Sequence, residues 1–399
     1  MPQWITLEAA RSILGVQPQT IYAYVSRGRI GASPDPQDPR RSLYRAEDVA
    51  SLAQRKADGR SRESLAATTM FGSEPSVPTA ISTFAGGRLY YRGMEAVALA
   101  GNSTLEEAAR LLWGCEAAVV LASPDGDAPA VPPGRVRAFS ELALLTATSP
   151  STRGRLPRVL LDEAMALVGR LGAAFGASTA RTHHALPLHE RLARGWKQPA
   201  AVADLIRQTL VLLADHEITS SAFSARITAS TGASLSACLL AGLTTFSGPL
   251  HGDASLRVRA LFDEVERGGA DAVVDRYLSA AIPLPGFGHR LYPDGDPRAA
   301  ALLAGLTPPP AISRLIERVA ALTGQQPTID LALATLVAQH RLPADAAFGL
   351  FATARSVGLL AHAMEQLAVD SVIRPRGRYV GPSIEVPAGP SRLGRRRAT

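Results

Sequence analysis

The stretch that decides the fold runs from Ser247 to Arg298. It opens S-G-P-L-H-G-D-A-S (residues 247–255), crosses a helical interval, and closes P-L-P-G-F-G-H-R-L-Y-P-D-G-D-P-R (residues 283–298). Each end presents a histidine where glycine and proline break the chain. His251 follows Gly248-Pro249, and His289 follows Pro285-Gly286-Phe287-Gly288. Glycine admits sharp backbone paths and close approach to a ligand, and proline stops a preceding helix. A histidine on such a turn can point into a cleft, although one alone is as readily a loop residue without chemistry. Two in the same setting, the second followed by Asp296-Pro297-Arg298, point to a site.

The surrounding composition is that of a helical globular protein. The 399 residues suffice for two or three domains and a large core. Ala and Leu dominate while aromatics make up 5%, which favours packed helices. Hydrophobic residues at 46% against 19% charged argue against wholesale disorder. No uninterrupted apolar run reaches bilayer length, and Met1-Pro2-Gln3-Trp4 lacks the basic-then-apolar start of a signal sequence. A cytoplasmic protein with no membrane partner is expected. Cys115 and Cys238 form no C-x-x-C pair and no disulfide framework, so they read as small buried residues. The net charge of +7 is carried almost wholly by Arg, since Lys56 and Lys197 are the only lysines. The guanidinium fork suits carboxylates and phosphates.

Outward from the central stretch, the pattern stays helical. Ala85-Gly86-Gly87 before Leu89-Tyr90-Tyr91-Arg92-Gly93 predicts a short hairpin. Ser103-Thr104-Leu105-Glu106 reads as a capping box opening a helix that ends at Trp113, with Gly114 after it. Ala122 to Pro133 reads as a surface loop, and Glu141 to Ala180 as helical. His183, His184 and His189, beside Glu190, show no i, i+4 pair and are interrupted by Pro187, so a surface loop is preferred there to a metal site. Ala201 to Ala214 is an apolar helix leading into Asp215-His216-Glu217. Small residues from Ala229 to Ala241 would let helices pack closely. Pro-rich breaks such as Thr307 to Pro310 follow Arg298. Asp330 lies near a helix start, where a carboxylate is favoured by the dipole, so capping is its bland role. Gly286-Phe287-Gly288 lacks the third glycine of a dinucleotide fingerprint, and neither G-x-S-x-G nor Walker A runs occur.

The motifs G-P-L-H-G-x-A and P-G-F-G-H-R-x-Y-x-x-x-D-P-R resemble the two histidine motifs of citrate synthases. The likeness extends, in that family's order, to L-Y-Y-R-G-M-E-A-V-A with S-T-L-E-E-A-A-R-L-L-W-G, to the Asp215-His216-Glu217 stretch, to Asp330, to Ala354-Arg355-Ser356-Val357-Gly358, and to Ile373 through Pro382. It covers roughly residues 80 to 385. The resemblance implies a mainly α, two-lobed, all-helical fold, with a large domain at 80–252 and 346–385 and a small domain at 253–345. It implies condensation of acetyl-CoA with oxaloacetate and hydrolysis of the thioester, with no cofactor beyond the CoA substrate and no metal. It implies Asp330 as the base that takes the methyl proton, His251 as the donor to the enolate oxygen and His289 as the proton donor to the ketone. His216, His289, Arg298, Arg355 and Arg374 would hold oxaloacetate, with Arg374 coming from the second subunit of a homodimer. Leu284, Gly286, Gly288, Arg290 and Arg376 would meet CoA.

Several positions depart from that pattern. Asp253 and Ser255 stand where many members have Gly and Asn, and Pro293 where the family often has a basic residue. Pro327-Thr328-Ile329 precedes Asp330, and Leu-Ala-Leu replaces the usual aromatics after it. A 2-methylcitrate synthase is the nearest alternative, since propionyl-CoA differs by one methylene.

Residues 1–62 read as a separate unit joined by a linker at 63–79. Thr6 is an N-cap for a helix at Leu7 to Leu14, Gly15 turns the chain, and Pro18 sits in the first turn of a helix to about Ser26, stopped by Gly28. Pro39 to Arg45 is basic and could form a wing before a last helix at Glu47 to Gln54. The whole resembles MerR-like or excisionase-like winged helix-turn-helix domains. That implies DNA contact by Gln17, Gln19, Thr20, Tyr22 and Tyr24, with Arg40, Arg41 and Arg45 near phosphates. A helical add-on for dimer or partner contact is the alternative. A chain of this organisation could also be a transcription regulator whose synthase-like part senses a metabolite. The basic tail at 386–399, with Arg392 and Arg395 to Arg397, is expected to be mobile.

Overall fold

The computed structural model describes residues 4–26, 29–36, 38, 41–53, 77–122, 131–369, 371–375 and 381–382. It divides into two compact units, Met1–Pro78 and Thr79–Thr399.

The first unit runs β1 (Trp4–Ile5), α1 (Leu7–Leu14), α2 (Pro18–Ser26), β2 (Ala32–Pro34), β3 (Ser42–Arg45) and α3 over residues 46–53. Thr6 accepts a hydrogen bond from the Ala9 amide, and Gly15 ends α1 at φ 59°, a left-handed conformation that glycine adopts without a Cβ clash. The three strands form an antiparallel sheet in the order β1-β3-β2. Ala10, Leu14, Ile21, Ile30, Tyr44 and Val49 make its small core. Gln17, just before α2, and Gln19 and Tyr22 on it are exposed, Thr20 is half-buried, and Tyr24 packs against the core. Arg41 and Arg45 are exposed, Arg41 beside Asp38 at 3.3 Å and Arg45 over the Trp4 ring at 6.0 Å. Gly28, Pro39, Arg40, Gln54, the 63–79 linker up to residue 76 and the 386–399 tail lie outside the described residues.

The second unit begins with an antiparallel meander, β4 (Ser82–Ala85), β5 (Arg88–Tyr91) and β6 (Met94–Glu95), turning at Gly86-Gly87. Helices follow: α4 (Ala96–Asn102), α5 (Leu105–Trp113), α6 (Arg135–Thr148), α7 (Pro157–Ala174), α8 (Leu188–Gly195), α9 (Ala200–Leu213), α10 (Ser220–Ser230) and α11 (Leu235–Phe246). Then come α12 (Ala254–Gly268), α13 (Ala270–Ser279), α14 (Pro297–Ala304), α15 (Pro310–Thr323), α16 (Ile329–His340) and α17 (Ala346–Leu367). The capping box of α5 sits one residue later than its sequence suggests, on Thr104 and Glu107. Glu106 is instead taken by the Leu188 amide at 2.7 Å. The helical stretch predicted from Glu141 to Ala180 is broken between Thr148 and Pro157, where Ser, Pro and Gly cannot sustain a helix, and it ends at Ala174. His189 is also not in a loop: it is buried on α8.

α17 is the axis of the unit. It is long and apolar enough, by length and composition alone, to cross a bilayer, although Arg355 interrupts its apolar run and nearly all of it is buried inside the unit. It packs against α10, α11, α9 and α7. Small residues permit this closeness: a Cβ at Gly242 would lie 2.9 Å from Leu359, and one at Gly358 would lie 2.1 Å from Asp215 Oδ1.

Two hydrophobic cores fill the unit. The smaller is built by α12, α13 and α15 with Leu284, Phe287, Leu331 and Ala334. α16 serves both, turning Leu331 and Ala334 to the smaller core and Ile329, Ala332, Leu333 and Leu336 to the larger. α14 likewise gives Ala299 and Leu302 to the larger core. The resemblance implies that both helices belong to the small domain; their faces join both cores, because a helix with apolar residues on two sides can bury each against a different layer.

Candidate active site

The β4–β5 hairpin and the end of α9 build the first part of the site. The Tyr91 hydroxyl lies within reach of the carbonyls of Val211 at 3.0 Å, Leu212 at 3.2 Å and Asp215 at 3.2 Å, and its one O–H gives a donor to the open C-terminus of α9. Ser82 Oγ donates to Asp215 Oδ2, and the Glu217 amide donates to Ser82 Oγ at 2.9 Å. Glu217 sits at φ 60°, a strained conformation for a residue with a Cβ, and these bonds hold it there. The result is a tight turn that presents His216. Its Nε2 lies 3.1 Å from the Tyr292 hydroxyl, and its ring meets Phe84 edge-on at 4.9 Å and His289 at 5.8 Å.

His251 stands on the turn between α11 and α12. The His251 amide donates to the Gly248 carbonyl at 2.9 Å and the Gly252 amide to the Phe246 carbonyl at 2.8 Å. A Cβ on Gly252 would fall 2.1 Å from the Phe246 ring, so only glycine fits. His251 Nε2 is 2.8 Å from Ser221 Oγ at the start of α10.

His289 and Tyr292 share a tight turn, the Tyr292 amide donating to the His289 carbonyl at 3.0 Å. The Leu291 amide donates to His289 Nδ1 at 3.1 Å. A backbone N–H only donates, so Nδ1 holds a lone pair and the neutral ring carries its proton on Nε2.

Two arginines are sealed in the interior. Arg298 forms a fork on Asp296, Nε to Oδ1 at 3.0 Å and Nη2 to Oδ2 at 2.8 Å. Asp296 Oδ2 also accepts the Ile329 amide at 3.1 Å, tying the start of α14 to the start of α16. Asp330 is thereby brought beside Arg298. Arg355 on α17 donates from Nε to the Leu213 carbonyl at 3.1 Å, while its Nη2 is buried with no hydrogen-bond partner among the described residues. Asp330 Oδ1 is likewise buried without one. An orphaned donor and an orphaned acceptor in one interior are each costly, by about 1–3 kcal/mol or more for charged groups, unless a ligand satisfies them.

The electrostatics follow from this packing. Burial, aided by Arg298 and Arg355, holds His216 well below the usual histidine range. Burial and then Arg355 bring His251 down to about 4, and burial and Arg298 lower His289. All three rings are therefore neutral near pH 7. Burial pushes Asp330 up to about 6, against the pull of Arg298. Asp296 is also desolvated, but its fork with Arg298 more than offsets this and keeps its carboxyl low. Two carboxylates in one interior are thus driven apart, one fixed as a counter-ion and one poised near neutrality.

The remaining predicted contacts are scattered. Leu284 is buried in the smaller core. Gly286 and Gly288 take positive φ at 84° and 69°. Arg290 is exposed. Arg374 is exposed on residues 371–375, a segment held where the Ile373 amide meets Ser230 Oγ at 3.1 Å. Arg376 lies outside the described residues. His183 Nδ1 bonds Ser178 Oγ and His184 Nε2 bonds the Thr179 carbonyl, and no metal-ligating cluster of three occurs among the described residues. A separate cavity of about 760 Å³, lined by Trp113, Arg153, Leu160, Gln366 and Val372, contains none of the grouped residues. Sequence reading had not singled out Ser221, Tyr292 or Phe84. Ser221 stood in a Ser-Ser run just past His216, and Tyr292 within the second histidine motif, but neither residue type announces a partner by itself.

Such a fold and site define a class of protein, a mostly helical one with a small acid–base site walled by arginines. Residues 141–376 match the model of the citrate synthase C-terminal domain. The chain belongs to the citrate synthase family. Citrate synthase of Haloferax volcanii is 34% identical over 192 residues, 45% of this chain and 51% of that one. The 2-methylcitrate synthase of Shewanella oneidensis is 30% identical over 199 residues, 47% and 53%. The matched stretch thus spans about half the length of these curated relatives. The crystal structure of citrate synthase from Thermotoga maritima aligns at a TM-score of 0.65 and 25% identity, covering 80% of this chain and 97% of that one.

Proposed function

We propose that the chain condenses an acyl-CoA with oxaloacetate and hydrolyses the product thioester, as a citrate synthase. The observation that carries this reading is the pairing of Asp330, half-buried with its Oδ1 sealed from solvent and poised at about 6, with three neutral histidines and two buried guanidiniums. A weakly acidic methyl C–H needs a base with a pKa near the working pH, and Asp330 takes that proton. The enolate oxygen that forms needs a donor. His251 supplies one N–H, its other nitrogen being turned to Ser221. One such donor is worth roughly 3–4 kcal/mol in the transition state. The new C–C bond drives charge onto the ketone oxygen, and His289 transfers its Nε2 proton there. Arg298, Arg355 and His216 hold the two carboxylates, and Arg374 of a second subunit completes the set in a homodimer. Water then cleaves the thioester, releasing CoA. Gly286, Gly288, Arg290 and Arg376 would meet CoA in this scheme, and no further cofactor enters it.

Acetyl-CoA is the favoured acyl donor. Propionyl-CoA, giving 2-methylcitrate, uses the same groups and differs by one methylene in the pocket. The test of the scheme is Asp330→Ala. Thiol release should fall at least a thousandfold, while calorimetric oxaloacetate binding stays within about threefold; turnover like that of the unaltered chain removes the base assignment.

A second reading concerns the first unit. The α1–Gly15–α2 arrangement followed by the β2–β3 ribbon supports a winged helix-turn-helix with α2 as the DNA-reading helix. Gln17, Gln19, Thr20 and Tyr22 would face base edges, and Arg41, Arg45 and Arg40 the phosphates. Tyr24, packed on the core, would support the helix instead. The chain is then a cytoplasmic synthase that also touches DNA, or a regulator that senses oxaloacetate or acyl-CoA. Asp330, with no ion-pair partner among the described residues, favours the synthase, since a pure sensor has no use for a base.

A further inference from the structure

We propose that Arg135 is a positioning residue for His251, acting through a forked ion pair with Asp253 that fixes the histidine turn to the larger core. The proposal rests on the condensation reading of the site.

Asp253 follows His251 by two residues and occupies the N-cap of α12. An aspartate there ordinarily accepts a hydrogen bond from the first turn of its own helix. Asp253 makes no such bond. Both its oxygens go to Arg135, Nη1 to Oδ2 at 2.8 Å and Nη2 to Oδ1 at 2.5 Å. The pair is mostly buried, with side chains 26% and 14% exposed, so the fork is not a solvated surface contact.

Arg135 is itself over-determined. Its amide donates to Asp345 Oδ2 at 3.1 Å, its Nε lies 3.6 Å from Asp345 Oδ1, and its guanidinium sits 3.9 Å above the Phe348 ring. A cation so close to a ring face is attracted to its negative quadrupole. Phe348 then touches Phe246 at 5.5 Å, and Phe246 touches His251 at 5.1 Å. One guanidinium therefore braces the turn twice, by charge through Asp253 and by rings through Phe348 and Phe246. Arg259, farther along α12, donates to the Ala344 carbonyl at 2.9 Å, next in sequence to Asp345.

The consequence is geometric. α12 carries the smaller core through Val258, Leu261, Phe262 and Val265, while α6 carries Ala138 and Leu142 of the larger. The fork joins the two at the residue where the chain passes from His251 into α12. A donor displaced by an ångström loses much of its effect on a transition state, while ground-state binding of oxaloacetate through the arginines is untouched.

The experiment uses the full chain and the variants Arg135→Gln, Asp253→Asn, the double variant and Arg135→Lys. With oxaloacetate and acetyl-CoA, each single change should lower kcat about tenfold and leave the KM for oxaloacetate within twofold. The double variant should lose no more than the worse single one, since both remove one interaction. Arg135→Lys should recover no more than about a third of kcat, because an ammonium lacks the fork. Amide hydrogen exchange over residues 247–256 should quicken at least threefold in Arg135→Gln and in Asp253→Asn. An unchanged kcat, single losses that multiply in the double variant, or unchanged exchange would overturn the proposal. The exchange measurement needs no turnover, so it decides the tie even if the chain proves inactive and the condensation reading itself falls.

Discussion

Asp330 has the property that removal of a carbon-bound proton demands, a carboxylate with one oxygen sealed from solvent and no ion-pair partner among the described residues. Because its native pKa is about 6, raised from 3.8, its base form is complete only above pH 7. We expect kcat/KM to fall as pH drops through about 6, in a profile measured by thiol release. The same shift fixes a stability effect. The folded state binds this proton more tightly than the unfolded chain, so stability declines as pH rises from about 4 through 6. Asp330→Asn, which cannot ionise, should melt higher than the unaltered protein at pH 7.5, with the gap closing towards pH 5 in calorimetric scans. Ser221→Ala removes the hydroxyl on His251 Nε2, and one hydrogen bond of about 1 kcal/mol predicts a kcat loss of roughly fivefold to tenfold. At this scale the sequence announced His251 and His289 because glycine and proline set them on turns, while His216 was picked out only by the resemblance of the Asp215-His216-Glu217 stretch. Ser221 was illegible, since its partner lies thirty positions away and serines cap helices everywhere.

Elements bring these residues together by satisfying helix ends. Tyr91 closes the end of α9, Ser82 holds the strained Glu217, and Asp296 joins α14 to α16. Asp296→Asn should be among the most damaging single changes. It leaves Arg298 as a buried charge without its counter-ion, which costs about 3–5 kcal/mol, and it loosens the α16 start that carries Asp330. Chemical denaturation should show that loss together with weaker oxaloacetate binding. Element existence was readable from periodicity and caps: Thr6, Gly15, Gly114 and the Gly86-Gly87 turn all lie where composition predicts a break. The finer placement was not. Two adjacent Thr/Ser and two adjacent Glu residues make either register of the α5 capping box plausible, and packing against Leu188 selects one. The division of α14 and α16 between two cores is equally invisible, because sequence reveals that a face is apolar and not which layer it meets.

The whole molecule has two units with separate cores, and each should function alone. A fragment of residues 79–399 should keep thiol release within about twofold of the full chain. Residues 1–78 should retain DNA on a column in a manner that weakens steeply with salt, since phosphate contacts release counterions. Retention equal to that of the 79–399 fragment would assign the first unit to assembly. The helical two-core architecture was legible from composition and the ordered motifs together. The acyl donor was not, because one methylene is chosen by pocket shape and not by any residue a motif names.

The central claim is most directly tested by thiol release from the full-length protein with oxaloacetate and, in parallel, acetyl-CoA or propionyl-CoA. The account predicts release that depends on oxaloacetate and is faster with acetyl-CoA. Tight oxaloacetate binding with no release from either thioester would contradict it, and would leave a ligand-sensing protein in place of a synthase.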